Sequence, residues 1–212
     1  MKLILSIETS CDETSLALLI GPVKNPLNQS PAASVGFLDY INSFEIISQL
    51  VSSQIKEHRK FGGVVPEIGA RLHAFQIHFL LDQLLFAASF KIAEKLQNGD
   101  KYRENVTEIE SEGLELIIKK WAGASLLENN GWVEYFKEKN ISELELIKDP
   151  KNWLGLIDEI MVTTSPGLAA SLRVGTETAK SLIYFINQKH KKNVVFRPIN
   201  HLHGHIASCF FE

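Results

Sequence analysis

The stretch "LILSIETSCDETSLALLI", residues 3–20, contains two apolar runs on either side of a polar segment. The runs at 3–7 and 15–20 are short and rich in leucine and isoleucine, as buried β-strands are. The segment between them, residues 8–14, contains three acidic residues: Glu8, Asp12 and Glu13. The pattern predicts that the chain opens with a β-hairpin whose tip carries these carboxylates.

The rest of the chain alternates strands with helices. The pattern of apolar residues predicts a strand at 44–52, a helix at 66–96, a strand at 160–164, a helix at 168–190 and a strand at 193–199. On the first helix, five apolar residues recur at helical spacing: Leu72, Phe75, Phe79, Leu80 and Leu84. An antiparallel start followed by strand–helix alternation predicts an α/β fold, with a mixed sheet and helices on its faces.

Residues 98–153 differ in composition from both flanks, because glutamate, lysine and asparagine dominate and apolar residues are sparse. We predict that this segment is a mostly helical, peripheral insertion. The remaining residues supply enough apolar side chains for a core, since 45% of the 212 residues are hydrophobic and 22% are charged.

Charge and cysteine content exclude several classes of protein. The net charge of -3 gives no general attraction to nucleic acid or to an anionic membrane, so RNA would have to bind through a local patch or a partner. Two cysteines do not make a disulfide framework, and a reducing cytoplasm is therefore the expected location. No run approaches the roughly 18 uncharged apolar residues of a membrane span.

Three histidines alternate in "INHLHGHI": His201, His203 and His205. If the segment is helical, the first and third lie one turn apart on one face; if it is extended, all three share a face. Two imidazoles at positions i and i+4 can chelate a transition metal, but a metal takes about four ligands and no nearby residue is an obvious third. Solvated or capping histidines are the alternative interpretation.

Two further segments have both a chemical and a structural interpretation. The acidic residues in "ETSCDET" can hold a metal–phosphate complex or transfer a proton, or they can simply form a solvated tip. In the same segment, Cys11 lacks an identifiable base and is a poor candidate for a nucleophile. The turn in "SPGLAASLRVG" precedes a helix, where backbone N–H groups can bind an anion, although its glycines can also serve close packing.

Together, four segments resemble those of one family: "SIETSCDETSLAL", "SSQIKEHRKFGGVVPEIGARLH", "SPGLAASLRVGTETAKSL" and "PINHLHGHI". They cover about half of the chain, and their order and wording resemble the bacterial tRNA adenosine threonylcarbamoyltransferases, formerly called O-sialoglycoprotein endopeptidases. The resemblance implies a two-lobed actin-like/Hsp70-like ATPase fold, which is ribonuclease H-like. Residues 1–212 would be the N-terminal lobe, either as a fragment or with the second lobe as a separate chain. That second lobe, with a third protein ligand and the nucleotide-binding glycines, would be absent here.

The resemblance also implies an activity, the transfer of a threonylcarbamoyl group from an adenylate to N6 of the adenosine beside the tRNA anticodon. In the family, the outer histidines of the motif hold one divalent metal, iron or zinc; these correspond to His201 and His205 here, and His203 has no such role. Asp12 and Glu13 correspond to an acidic pair linked to activity. The implied ligands are threonylcarbamoyl-adenylate or an ATP-type nucleotide, and the implied partners are tRNA, a scaffold paralogue and an ATPase.

Other functions remain open from the sequence. A non-catalytic scaffold paralogue keeps the fold but lacks the metal motif, which the intact His201 and His205 argue against. A zincin-type metallopeptidase carries a glutamate beside its first histidine, whereas Leu202 follows His201 here. A sugar or acetate kinase has the same fold but a different set of motifs. One departure from the threonylcarbamoyltransferases is Ser165, which stands where that family usually has glycine.

Overall fold

The computed structural model describes residues 1–21, 44–98, 146 and 148–208. In this part of the chain, five strands form one sheet in the order β3-β2-β1-β4-β5. The strands are β1 (Lys2–Glu8), β2 (Glu13–Gly21), β3 (Glu45–Ser53), β4 (Glu159–Ser165) and β5 (Val195–Asn200). Strands β1, β2 and β3 pair antiparallel, while β4 pairs parallel to both β1 and β5. The predicted α/β class, with a mixed sheet and an opening hairpin, is confirmed.

The hairpin register places Leu3 opposite Ile20 and Glu8 opposite Ser15. The odd-numbered apolar residues of β1 and the even-numbered ones of β2 therefore point to one face, as the two-residue period of a strand requires. Both sets belong to the main hydrophobic core. The connection between the strands is shorter than predicted, because β1 continues to Glu8 and β2 begins at Glu13.

Five helices accompany the sheet in the described residues: α1 (Ile55–Arg59), α2 (Pro66–Asn98), α3 (Asn152–Leu156), α4 (Ala169–His190) and α5 (His201–Ser208). Helix α2 packs on β2 and β3, and α4 packs on β1, β4 and β5. Because α2 and α4 also contact each other, they cover the same face of the sheet. None of the described helices combines the length and the hydropathy that a membrane crossing requires.

The apolar pattern of α2 identified only part of its buried face. Leu80 and Leu84 lie in the core, but Phe75 is 64% exposed and Phe79 is 53% exposed. The buried stripe instead includes Ile77 and Ala88, which share a helical face with the two leucines. Spacing alone cannot select the correct stripe when several apolar residues surround a helix.

The predicted insertion, residues 98–153, lies mostly outside the described residues and stays a prediction. Its C-terminal end does not fit a peripheral segment, because Leu146 is 1% exposed and Trp153 is fully buried in the core. The Trp153 indole N–H donates to Ser89 Oγ at 2.9 Å, and Ser89 in turn donates to the Leu146 carbonyl at 2.7 Å. The boundary of the insertion therefore has to move to a position before Leu146.

A close approach between α4 and the end of β1 brings two parts of the site together. The Thr9 hydroxyl donates to the Ser171 carbonyl at 2.9 Å. A Cβ atom on Gly175 would lie 2.5 Å from Thr9 Oγ1, so only glycine permits this packing. The sequence left open whether the glycines of α4 serve packing or anion binding, and Gly175 serves packing.

Candidate functional site

The carboxyl ends of β1, β4 and β5 lie at one edge of the sheet, because these strands are parallel to each other. The segments that follow them meet there, as the topology predicts. The Leu168 N–H, just before α4, donates to the Ser10 carbonyl of the hairpin tip at 2.8 Å. The Ser10 Oγ atom lies 3.1 Å from His201 Nδ1 at the start of α5. The segments that follow β1, β4 and β5 are distant in sequence and together form one surface.

The histidine segment is helical, which decides between the two arrangements that the sequence allowed. Helix α5 begins at His201, directly after β5, and the Asn200 side-chain oxygen accepts a hydrogen bond from the Leu202 N–H at 2.9 Å, as a capping residue does. One turn separates His201 from His205, and their Nε2 atoms lie 2.9 Å apart. His203 is exposed.

The two facing Nε2 atoms fit a divalent transition metal as two of its ligands. Bonds of about 2.0–2.1 Å to each nitrogen would need the rings only a few tenths of an ångström farther apart than they are. Imidazole suits both zinc and iron. Among the described residues, no group of three or more histidine, cysteine, aspartate or glutamate side chains could hold a metal. To hold a metal, the pair would therefore need further ligands.

A carboxylate lies on the other side of the His201 ring. Glu8, the last residue of β1, has its Oε2 atom 3.3 Å from His201 Nδ1. The same carboxylate accepts hydrogen bonds from the Ser10 backbone N–H and from the Thr163 hydroxyl. Burial alone would raise the pKa of Glu8, but the hydrogen bonds from Ser10, Thr163 and His201 outweigh it and lower the pKa. The Glu8 side chain is therefore an anion beside the histidine pair.

The two carboxylates proposed as catalytic lie farther along the hairpin tip. Asp12 is partly exposed, and Glu13, the first residue of β2, is exposed. Within the described residues, neither makes a hydrogen bond or ion pair with His201 or His205. Their catalytic role stays a prediction. The acidic residue that does contact the pair is Glu8, which the sequence placed at the tip but did not single out as a site residue.

The hairpin tip is hydrogen-bonded to His73 of α2, whose side chain is fully buried. Its Nε2 atom lies 3.0 Å from the Cys11 carbonyl oxygen, and its Nδ1 atom lies 2.7 Å from Thr14 Oγ1. Burial lowers the pKa of His73, and this outweighs the raising effects of the Cys11 carbonyl and of the Glu8 and Asp12 charges. His73 is therefore neutral and structural.

A second buried histidine extends this network to the loop before α2. Gln54 lies between the two, with its Nε2 atom 3.2 Å from His73 Nδ1 and its Oε1 atom 3.1 Å from His58 Nε2. The Val65 N–H donates to His58 Nδ1 at 3.3 Å. The Gln54 backbone N–H also donates to the Asp12 carbonyl at 2.8 Å, so the network fixes the backbone at a predicted site residue.

Cys11 is exposed at the tip, and burial of its thiol together with the neighbouring Asp12 raises its pKa. The thiolate is the reactive form of cysteine, so this environment disfavours Cys11 as a nucleophile.

Comparison with known proteins finds similarity to one family. The family model of tRNA N6-adenosine threonylcarbamoyltransferase matches residues 45–95 and 145–212. Proteins of that name from Prochlorococcus marinus (strain MIT 9215) and from a Synechocystis strain are each 29% identical to the chain over 212 residues. One from Kosmotoga olearia is 28% identical over 209 residues. The chain is covered fully or almost fully, but it spans only 35–36% of these relatives.

Proposed function

Because this chain belongs to the tRNA N6-adenosine threonylcarbamoyltransferase family, we propose that it provides the histidine part of the active site of such an enzyme. The family has the actin-like, ribonuclease H-like fold, in agreement with the five-stranded mixed sheet. The proposed reaction transfers a threonylcarbamoyl group from threonylcarbamoyl-adenylate to N6 of an adenosine in tRNA.

The observation that carries the proposal is the pair of facing nitrogens, His201 Nε2 and His205 Nε2, 2.9 Å apart at the carboxyl edge of the sheet. When bound there, a divalent iron or zinc ion would polarise the carbonyl of the threonylcarbamoyl group. Because this chain covers only 35% of such a relative, we propose that further metal ligands and the nucleotide-binding segments lie in a second lobe.

In the proposed reaction, the adenosine amine attacks the carbonyl carbon. The new carbon–nitrogen bond forms, the bond to the adenylate phosphate breaks, and AMP leaves. Asp12 or Glu13 would accept the proton that the amine loses. The exocyclic amine is a weak nucleophile, so the rate depends strongly on how the two substrates are oriented. The network of His73 and Gln54 supports this role, since it holds the backbone that carries Asp12.

Partner proteins are part of the proposal. The net charge of -3 does not favour tRNA binding by this chain alone. We therefore propose that tRNA binds together with the second lobe, a scaffold paralogue and an ATPase partner. A purely scaffolding role is less well supported, because the histidine pair converges on one point, which a non-catalytic protein does not require.

The test is formation of threonylcarbamoyladenosine in a tRNA transcript, measured by mass spectrometry of nucleosides. The chain is assayed with threonylcarbamoyl-adenylate, the scaffold paralogue and the ATPase partner, both alone and joined to the C-terminal two-thirds of the Synechocystis relative. We expect product only from the joined protein, and its loss in the double variant His201→Ala/His205→Ala. The control is His203→Ala, which should retain activity. Full activity in the double variant would refute the proposal.

A further inference from the structure

We propose that Glu8 is a positioning residue that fixes the proton of His201 on Nδ1 and so leaves the Nε2 lone pair directed at His205. The placement of the proton follows from contacts within this chain. Its consequence for metal binding rests on the proposed function.

Among the described residues, two groups face His201 Nδ1, and they differ in whether they can donate a hydrogen bond. Glu8 Oε2, at 3.3 Å, belongs to an ionised carboxylate, which only accepts hydrogen bonds. Ser10 Oγ, at 3.1 Å, can either donate or accept. An unprotonated Nδ1 would point its lone pair at the Glu8 oxygen, which is repulsive. A protonated Nδ1 donates to the carboxylate, and a hydrogen bond to an ionised acceptor is the stronger kind.

The Glu8 carboxylate is itself held in place. The Ser10 N–H and the Thr163 hydroxyl, which comes from the neighbouring strand β4, both donate to it. The side chain is only 29% exposed, so water competes weakly for its oxygens. Carboxylates that orient a ligating histidine through its second nitrogen are common around metal sites.

Glu8 cannot bind the same metal ion as the pair. Nδ1 and Nε2 lie on opposite sides of the imidazole ring, and the carboxylate faces the Nδ1 side. Its effect on a metal must therefore pass through His201.

With this placement of the proton, His201 and His205 are different tautomers. With its proton on Nδ1, His201 accepts at Nε2, so the 2.9 Å contact requires the Nε2 proton of His205 as donor. A metal that binds both Nε2 atoms displaces the proton of His205 and leaves the protonation of His201 unchanged. Metal binding therefore changes the tautomer of one histidine only.

Long-range proton–nitrogen NMR of chain labelled with ¹⁵N-histidine tests this directly. Spectra are recorded near pH 8, where imidazoles are about neutral, with chelator and then with increasing zinc. Without metal, we expect the proton on Nδ1 in His201 and on Nε2 in His205. Zinc should move the proton of His205 to Nδ1 and leave His201 unchanged, while exposed His203 serves as internal reference. A wild-type His201 protonated at Nε2 would overturn the inference without any variant.

Glu8→Gln provides the second arm. An amide offers both an acceptor and a donor to Nδ1, so His201 should become a mixture of tautomers, and zinc affinity should fall about 10- to 100-fold. The charge-matched control is Glu57→Gln, at an exposed position of α1. It should change neither the tautomer of His201 nor the zinc affinity. An unchanged His201 tautomer in folded Glu8→Gln overturns the inference. A further outcome is that the tautomer of His201 changes in Glu8→Gln while zinc alters neither histidine, in the 212-residue chain or in the chain joined to the C-terminal part of a relative. That result would reject the metal site and leave the positioning role of Glu8 intact.

Discussion

His73 links the stability of the hairpin tip to pH. Its pKa is lowered in the folded chain, mainly by burial, so the unfolded chain binds its proton more tightly. Neutral His73 contributes fully to the free energy of unfolding above its pKa in the unfolded chain, about 6.5. This contribution is lost as the pH falls toward the lower pKa of the folded chain. We therefore expect the free energy of unfolding, measured by urea denaturation, to decrease between about pH 7 and pH 5.

The variant His73→Gln isolates this effect. It should be less stable than wild type above neutral pH, because it loses part of the network with Cys11 and Thr14, but its stability should depend less on pH. His78→Gln, at an exposed position of the same helix, is the control and should keep the wild-type pH dependence. Equal pH dependence in His73→Gln and wild type would show that this histidine does not couple folding to protonation.

Gly175 controls the contact between α4 and β1. A Cβ atom there would lie 2.5 Å from Thr9 Oγ1 and 3.5 Å from the Ile7 side chain, and both partners are buried. Gly175→Ala should therefore lower the free energy of unfolding by about 1–3 kcal/mol, as overpacking does. Gly204→Ala is the helical control, because nothing lies within 4 Å of its added methyl group. An equally stable or more stable Gly175→Ala chain would contradict the packing argument.

Among the predicted site residues, the arrangement of the histidines follows from local spacing, whereas the surroundings of the carboxylates do not. The i, i+4 spacing, together with the family motif, identified His201 and His205, and the helix brings their nitrogens together. Asp12 and Glu13 rested on the resemblance alone. The contact of Glu8 with His201 spans 193 residues, and that of Glu8 with Thr163 spans 155. The parallel pairing of β1 with β4 and of β4 with β5 creates these contacts, and no local pattern encodes either pairing.

At the level of elements, the hairpin and the strand–helix alternation were predictable because each depends on local periodicity. The boundary of the insertion was not, because Trp153 and Leu146 are apolar residues in a mostly polar segment. The family model supports a shorter insertion, since its match resumes at residue 145.

A pair of deletions tests the corrected boundary. Replacing residues 99–144 by a short Gly/Ser bridge should leave cooperative unfolding in urea, because Leu146 and Trp153 remain in the core. Extending the deletion through Trp153 should destabilise the chain by at least the roughly 3–5 kcal/mol of removing a buried tryptophan. Cooperative unfolding with equal midpoints in both would show that the end of the segment contributes nothing to the core. Loss of cooperativity in the shorter deletion would reject the insertion itself.

For the whole molecule, the candidate site lies at a rim of the sheet and is open to solvent. The His201 side chain is 28% exposed, and α5 follows the last strand of the sheet in the described residues. The sequence predicted that strand ends would converge at this rim. It predicted no third metal ligand within this chain, and the chain spans about a third of the relatives that it matches.

Metal affinity should therefore depend on the rest of the protein. Two imidazoles give a weak site, because each further ligand adds a bond and fixes the orientation of the others. Calorimetry with zinc, and anaerobically with ferrous iron, should show weak binding by the 212-residue chain and tight binding by the chain joined to the C-terminal part of a relative. Tight binding should be lost in His201→Ala and in His205→Ala, and kept in His203→Ala. Equally tight binding by the short chain and by the double variant would reject the assignment, and tight binding by the short chain that requires His203 would indicate a different, three-histidine site.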